Sequence, residues 1–463
     1  MRTKLNDFVA AIVRRKLHIF VATIALLPAV GRSQEYTVTD LGTLGGNFSI
    51  ATSVNNKGQV AGQSTTPTQI QSVSEGQADA FLYSNGKMID LGNFGGDSGS
   101  NIAYYFTGNS ANAVNDNGVV AGMAFDADGN PHPFLWSAGT MQDLAPGQVG
   151  GAYGINANNV AVGIIGYGYS SGDFNGFGAI FNGVGNFAGV PVPASLYVSS
   201  PVAINNSGQI AGSCSADEDT IVFGCLAVGT TAQELAPLNN FSVTLANAIN
   251  ASGNTCGEDL WNSDNGPTAT AWVGGSPVKL GWPANTRDSE CDGMDDYGQY
   301  VGNANTGESN QVGVFWDPVN GARDLNKLIP KFFRKGHEFR IQNAVALSDS
   351  GFIAANCVLE DGQTHACLLT PNPVLILHDN VLGLAKGDEE CIQCETILVP
   401  EARSLPESLE GLTEDRRKAV IATVDKIGVE VEHLERERKI SQPKALLLIH
   451  DAQRVLAAID PLR

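Results

Sequence analysis

One short pattern recurs seven times along this chain, and a periodic chain has far fewer folds open to it than an aperiodic one. Each copy carries Asn or a residue of similar turn preference, Gly at +3, an apolar or β-branched residue at +5 and a small residue at +7. The copies are Asn55-Gly58-Val60-Gly62, Asn115-Gly118-Val120-Gly122, Asn156-Asn159-Ala161-Gly163, Asn205-Gly208-Ile210-Gly212, Asn250-Gly253-Thr255-Gly257, Asp295-Gly298-Tyr300-Gly302 and Ser348-Gly351-Ile353-Ala355. Asn and Gly supply the positive φ angles of tight strand-connecting turns, and the flanking residues alternate as half-buried strands do, so each copy predicts a β-hairpin. The small residue at +7 predicts a bulge or a close backbone approach.

A second strand follows each hairpin: Ala80-Phe81-Leu82-Tyr83, Phe134-Leu135-Trp136, Ala179-Ile180-Phe181, Cys225-Leu226-Ala227, Ala271-Trp272-Val273, Val314-Phe315-Trp316 and Ala366-Cys367-Leu368-Leu369. Then comes an acidic-Leu pair: Asp90-Leu91, Asp143-Leu144, Glu234-Leu235 and Asp324-Leu325, with Lys279-Leu280 as a variant. Copy three lacks the pair, copy seven has none after it, and one stands ahead of copy one at Asp40-Leu41. This offset suits a closed ring in which the N-terminal strand completes the last sheet. Turn positions are spaced by 60, 41, 49, 45, 45 and 53 residues, a period of about 48. Seven such units predict an all-β, seven-bladed β-propeller over 36–370. An open solenoid is the competitor, but it needs polar capping repeats, whereas the first copy here has the best motif.

Composition agrees. Gly accounts for 53 of 463 residues and charged residues for 16%, against roughly 7% Gly and about 25% charged in ordinary domains. The net charge of −20 repels phosphate backbones and argues against nucleic acid as a partner. No run of 18 apolar residues predicts a membrane-spanning helix. Residues 1–33 read as a signal peptide: Arg2, Lys4, Arg14, Arg15 and Lys16 precede an apolar run, Leu17 to Gly31, with small Ala29 and Gly31 near its end. An uncleaved anchor is the alternative. Cleavage near residue 33 leaves 22 basic against 47 acidic residues, a charge of −25.

The strings DLGTLGG (40–46), NNKGQVAG (55–62), ADAFLYSNGKMIDLGNFGG (78–96) and HPFLWSAGTMQDL (132–144) resemble the bacterial HAF-repeat family. The resemblance covers roughly 36–370 and implies export and a propeller-like repeat fold, with no implied reaction. The family's His-Ala-Phe triplet keeps its His only at His132 and His365, and Asp79 replaces it in copy one. This departure argues against a shared His-based chemistry.

Eight cysteines in an exported chain predict disulfides. Cys214 and Cys357 occupy the same slot in copies four and seven, and Cys225 and Cys367 share another. Neighbouring strands that bring these slots within reach give Cys214–Cys225 and Cys357–Cys367. Cys256 and Cys291, in adjacent copies, join blades five and six. Cys391 and Cys394 form a C-x-x-C, read as a small disulfide loop, with half a metal site as the alternative.

After Pro371 the composition changes, with 12 basic and 17 acidic residues in 371–463. We expect a linker over 371–403 and a helical hairpin over 404–463, its first helix beginning at the capping-box signal Ser404-Leu405-Pro406-Glu407 and its second at Ser441. The hairpin packs on itself or the propeller, or serves in docking or oligomerisation.

Chemical motifs are few. Gly168-Tyr169-Ser170-Ser171-Gly172 fits G-x-S-x-G but lies between two strands, without the strand-turn-helix elbow the chemistry needs. Asp126, Asp128 and Asn130 offer alternating oxygen ligands for calcium, although an Asp-Gly hairpin turn explains them more simply. Asp217-Glu218-Asp219 and Asp292, Asp295, Asp296 are further acidic clusters, either calcium sites or solvated loops. No other cofactor is expected. A basic, aromatic segment holds Lys331, Phe332, Phe333, Arg334 and Lys335, flanked by Arg323, Lys327, Phe339 and Arg340. It reads as a solvated loop or as a site for an anionic polymer or partner. The expected function is an exported, non-catalytic binding or scaffold propeller for extracellular polysaccharide or protein. The alternatives are a secreted glycan hydrolase or lyase using channel carboxylates, and a structural surface protein oligomerising through its helical tail.

Overall fold

The computed structural model describes residues 35–67, 78–96, 108–170, 173–194, 196, 198–215, 222–238, 243–260, 266–307, 311–330, 339–387, 391 and 394–459. The expected signal peptide lies outside them. Seven four-stranded antiparallel units, one with an extra short strand, make a seven-bladed propeller. β1 (Tyr36–Asp40) precedes blade one, which is β2 (Ser49–Val54), β3 (Val60–Ser64), β4 (Asp79–Ser84) and β5 (Lys87–Asp90). The short β6 (Gly95–Gly96) pairs with β8 of blade two, which is β7 (Ser110–Val114), β8 (Val120–Asp126), β9 (Pro131–Ser137) and β10 (Thr140–Asp143). Blade three is β11 (Val149–Ile155), β12 (Ala161–Ser170), β13 (Asp173–Phe181) and β14 (Phe187–Gly189); blade four is β15 (Val198–Ile204), β16 (Ile210–Ser215), β17 (Val222–Val228) and β18 (Thr231–Glu234). Blade five is β19 (Thr244–Ile249), β20 (Thr255–Asp259), β21 (Thr268–Val273) and β22 (Ser276–Lys279); blade six is β23 (Ser289–Met294), β24 (Tyr300–Asn305), β25 (Gln311–Asp317) and β26 (Gly321–Asp324). Blade seven is β27 (Arg340–Leu347), β28 (Ile353–Val358) and β29 (Thr364–Pro371), completed by β1, whose Tyr36 and Asp40 pair with Pro371 and Cys367. The predicted latch closes the ring, and the first strands of successive blades touch all the way round.

The repeat motif has two structural causes. At +3 the backbone is left-handed, with φ of +69° at Gly58 and +61° at Asn159, a conformation that favours Gly and Asn over other residues. At +7 the cause is a bulge: each first strand gains an extra residue, as between Ala246 and Ala248 opposite Gly257 and Cys256. The bulge aims a carbonyl at the glycine, so a Cβ on Gly257 would sit 2.0 Å from the Leu245 oxygen, and one on Gly62 2.1 Å from that of Ile50. Blade seven carries Ala355 there, and its first strand shifts register twice instead of once.

Where it is present, the acidic-Leu pair closes the sheet's outer corner. Leu91, Leu144, Leu235 and Leu325 are buried, and the Leu91 N–H donates to the Ala80 carbonyl and the Leu144 N–H to that of Pro133. The acidic partner explains the motif's histidine. His132 Nδ1 lies 3.1 Å from Asp143 Oδ2, and His365 Nδ1 lies 2.9 Å from Asp40 Oδ1. This histidine therefore ties the third strand to the fourth.

Three disulfides form: Cys214–Cys225, Cys256–Cys291 and Cys391–Cys394. The fourth expected pair differs, because Cys357 and Cys367 are buried free thiols. Burial, then a hydrogen bond to Cys357, holds the Cys367 thiol well above its usual pKa. That suppresses the thiolate through which disulfides form.

The tail is more helical than its sequence suggested. α1 (Pro373–Gly387) occupies much of the expected linker, because Val374, Leu377, Val381 and Leu384 form one buried stripe. α2 (Val399–Ser404) ends where a helix start was expected. Leu405 is extended there, as a residue before Pro406 tends to be. The next helix, α3 (Glu414–Arg436), begins later, with the Thr413 hydroxyl accepting from the Arg416 N–H. α4 (Gln442–Ile459) pairs with it as the expected hairpin, and α1 packs on α4 in one shared apolar core.

Candidate functional site

The turn residues form a ring around one end of the central channel. Asn115 shows the arrangement: Oδ1 accepts from the N–H groups of Asn117 and Val119 at 3.0 and 3.1 Å, while Nδ2 donates to the Asn156 carbonyl of the next blade at 2.9 Å. The same step runs from Asn55 to Asn115, Asn156 to Asn205, Asn205 to Asn250 and Asn250 to Asp295. One residue further on, the Asn56 N–H donates to Asp116, Ala157 to Asn206, Ala251 to Asp296 and Asp296 to Asp349. The Ser350 N–H makes the same kind of contact from blade seven to blade one, donating to Asn56 Oδ1 at 2.9 Å. Residues suited to tight turns thus also stitch the blades together.

Copies six and seven break the amide pattern with Asp295 and Ser348. The Asp295 carboxylate still accepts from the N–H groups of Tyr297 and Gln299, but it has no N–H to pass on. α4 docks at this point. Arg454 Nη2 lies 3.7 Å from Asp295 Oδ2 and Nη1 3.5 Å from Asp451 Oδ1, with both carboxylates fully buried. Nη2 also donates to the Asp349 carbonyl at 2.6 Å. Beside it, Tyr297 and His450 stack with centroids 3.3 Å apart. The tail supplies a cation where the ring lacks its amide.

Inside the ring is a cavity of about 260 Å³. Its floor is apolar, with one residue from each blade: Val54, Val114, Ile155, Ile204, Ile249, Met294 and Leu347. Its rim is polar and partly acidic, including Asn56, Asp116, Asn206, Asp296 and Asp349. Burial and the Asp296 charge raise the pKa of Asp349. Polar surface outweighs apolar surface in this cavity, so it is more polar than the usual small-molecule site.

The sequence candidates fall elsewhere. Lys331, Phe332, Phe333, Arg334 and Lys335 lie outside the described residues, as do Asp217-Glu218-Asp219. Of their basic neighbours, Arg323 is structural, paired with Glu35 and Asp317. Gly168 to Ser170 fall on β12, which pairs with β13 as a hairpin and not as a nucleophile elbow. Asp126, Asp128 and Asn130, the calcium candidates, lie in a turn. Asp126 accepts from the N–H groups of Asp128 and Asn130 and sits 3.2 Å from His132 Nε2, so its oxygens are already engaged. His132, between Asp126 and Asp143, has a raised pKa, chiefly through its bond to Asp143.

A second feature escaped the sequence reading except at Asp292. Glu258 on β20 is 8% exposed, and its Oε2 has no hydrogen-bond partner. Beside it on β23 are Glu290 and Asp292, which share the Asn303 amide at 3.0 and 3.5 Å. Burial, then Glu290 and Asp292, raises Glu258 to about 8, and burial with Glu290 raises Asp292 to about 7. Among the described residues, no three His, Cys, Asp or Glu side chains are gathered closely enough to hold a metal as they stand. Aligning the copies would have revealed the trio, because its slots are neutral in every other copy.

No family model and no curated protein matches this chain. Among solved structures it is similar to a puromycin-hydrolyzing peptidase of Mycobacterium tuberculosis, at 12% identity and TM-score 0.45, over 72% of this chain and 56% of the peptidase. This chain thus spans little more than half the peptidase's length. It is also similar to TolB of Acinetobacter baumannii, at 10% identity and TM-score 0.33, over 73% and 80% of the two chains. The SapL1 lectin, solved with alpha methyl fucoside, matches at 13% identity and TM-score 0.32, over 60% and 95%. At such scores these likenesses carry no functional argument. No helix among the described residues is long and apolar enough to cross a membrane.

Proposed function

We propose that this chain is an exported HAF-repeat binding module, non-catalytic, whose ligand enters the cavity at the turn end of the channel. The observation that carries the reading is the cavity itself, a mainly polar concavity to which each blade also contributes one apolar side chain. A volume of about 260 Å³ is below the roughly 300–1,000 Å³ of drug-sized pockets, so it suits one compact group, such as a single sugar ring or a side chain. Carboxylates and amide oxygens on the rim select a donor-rich ligand, and the charge of −20 selects against polyanions. Within the expected class of extracellular polysaccharides and proteins, this favours a neutral or amino-bearing glycan. The N-terminal leader pattern and the three disulfides support export.

The test is binding of the full chain to a glycan array. Neutral or amino glycans should be retained, and Ala157→Trp, on the exposed rim, should abolish retention by capping the cavity. Failure to bind any glycan, or binding unchanged by Ala157→Trp, would overturn the reading. Turnover of a bound glycan would replace it with the hydrolase or lyase alternative.

A further inference from the structure

We propose that Glu258, Glu290 and Asp292 form a site for a divalent hard cation, Ca²⁺ in preference to Mg²⁺, at the seam between blades five and six. The inference goes beyond the glycan-binding reading and does not depend on it. Glu258 sits at +8 of copy five, and Glu290 and Asp292 at −5 and −3 of copy six. Those three slots occur 21 times in seven copies, and the other 18 hold neutral residues, among them Gln63, Ser200, Leu245 and Asn247. The only three charges therefore fall at one seam, and all three are negative.

The fold holds them there. The Cys256–Cys291 disulfide joins β20 to β23, two residues from Glu258 and next to both Glu290 and Asp292. Nothing in the fold explains Glu258: it is 8% exposed and its buried oxygen lacks a partner. A buried carboxylate without a partner is costly and calls for an ion or a proton. The charged groups that act on Glu258 are both acidic, with no Lys, Arg or His among them. Oxygen ligands from two blades, one of them a flexible Glu, give the irregular geometry that Ca²⁺ accepts and Mg²⁺ does not. The three carboxylates are not gathered around one point as they stand, so binding would require the Glu258 side chain to turn toward the Glu290–Asp292 pair.

The experiment uses the full chain with its disulfides formed, stripped of divalent ions with a chelator. Calorimetric titration with CaCl₂ and with MgCl₂, and thermal unfolding in each salt, are run at pH 8. We expect one Ca²⁺ per chain at pH 8, a higher unfolding temperature, and weaker binding of Mg²⁺. Glu258→Gln and Asp292→Asn should each abolish binding, whereas Asp126→Asn should retain it. Glu258→Gln removes a buried repulsion, so its unfolding temperature in chelator should equal or exceed that of the unsubstituted chain, separating lost binding from misfolding. Absence of heat and of thermal shift with both ions at pH 8 overturns the proposal, as does binding that survives Glu258→Gln and Asp292→Asn.

Discussion

Replacing Arg454 with Met tests whether the helical tail is held to the propeller by the copy that lacks its asparagine. The Arg454 side chain is 8% exposed, and those of Asp295 and Asp451 are fully buried. Burial raises Asp295 to about 7 and Asp451 to about 6, each against the downward pull of Arg454. Without the guanidinium both carboxyls rise further, because the cation that opposes their burial is gone. Above their present values the loss is that of a broken buried ion pair, roughly 3–5 kcal/mol. At pH 6 it is far smaller, because there the carboxyls already hold much of their protons. Lost hydrogen bonds to the Asp349 carbonyl and Gln299 add about 1 kcal/mol at either pH. The sign follows from proton binding: these acids have folded pKa values above their unfolded ones, so the folded state takes up protons and its stability falls as pH rises through the window. Hydrogen exchange followed by mass spectrometry should show α4 amides exchanging about 10³-fold faster than in the unsubstituted chain at pH 8. At pH 6 the ratio should be less than about tenfold. Adding Asp295→Asn, which restores an amide to the ring, should return part of the protection and not all of it, because Asp451 stays buried without its cation. A ratio equal at the two pH values, or protection unchanged at pH 8, would refute the account.

Three further outcomes follow from the same geometry. Asn115→Ala removes two acceptor and two donor bonds and should cost about 2–5 kcal/mol, read as a lower urea midpoint. Asn115→Asp should match it at pH 8 and recover on acidification. Gly257→Ala places a Cβ 2.0 Å from the Leu245 carbonyl oxygen and should cost about 3 kcal/mol or more; a midpoint unchanged by this substitution would contradict the bulge argument. Cys357 and Cys367 occupy the slots that form Cys214–Cys225 in blade four. Thiol counting under denaturing conditions should find two free thiols in freshly folded protein and none after treatment with an oxidised dithiol reagent, with a gain in thermal stability. Two thiols that persist after that treatment would show that blade seven cannot close the bond.

Local periodicity made the propeller legible. Turn residues at 55, 115, 156, 205, 250, 295 and 348 dictate their own backbone angles, and the offset of Asp40-Leu41 shows where the ring closes. The pairing of Cys214 with Cys225 follows from the same register, because strands joined by a short hairpin have few ways to align. Composition was a poorer guide in the tail. The change of composition after Pro371 suggested a linker, although Val374, Leu377, Val381 and Leu384 already carried a helical stripe. Ser404 resembled a helix start because a capping signal is short, and Pro406 two residues later decides otherwise.

Some features belong to no single repeat. Asp126 resembled a calcium ligand in sequence, yet its oxygens are consumed by its own turn and by His132. Arg454 and Asp295 are 159 positions apart, and only the docking of α4 on blades six and seven brings them together. Glu258, Glu290 and Asp292 meet because neighbouring blades face each other across a seam. The sequence by itself determined the repeat, its turns, the latch and the acidic character of the protein, since these depend on a residue and its near neighbours. The cavity, the Arg454 contact and the carboxylate trio were decided by closure of the ring, since burial and the approach of distant charges exist only after the chain has folded.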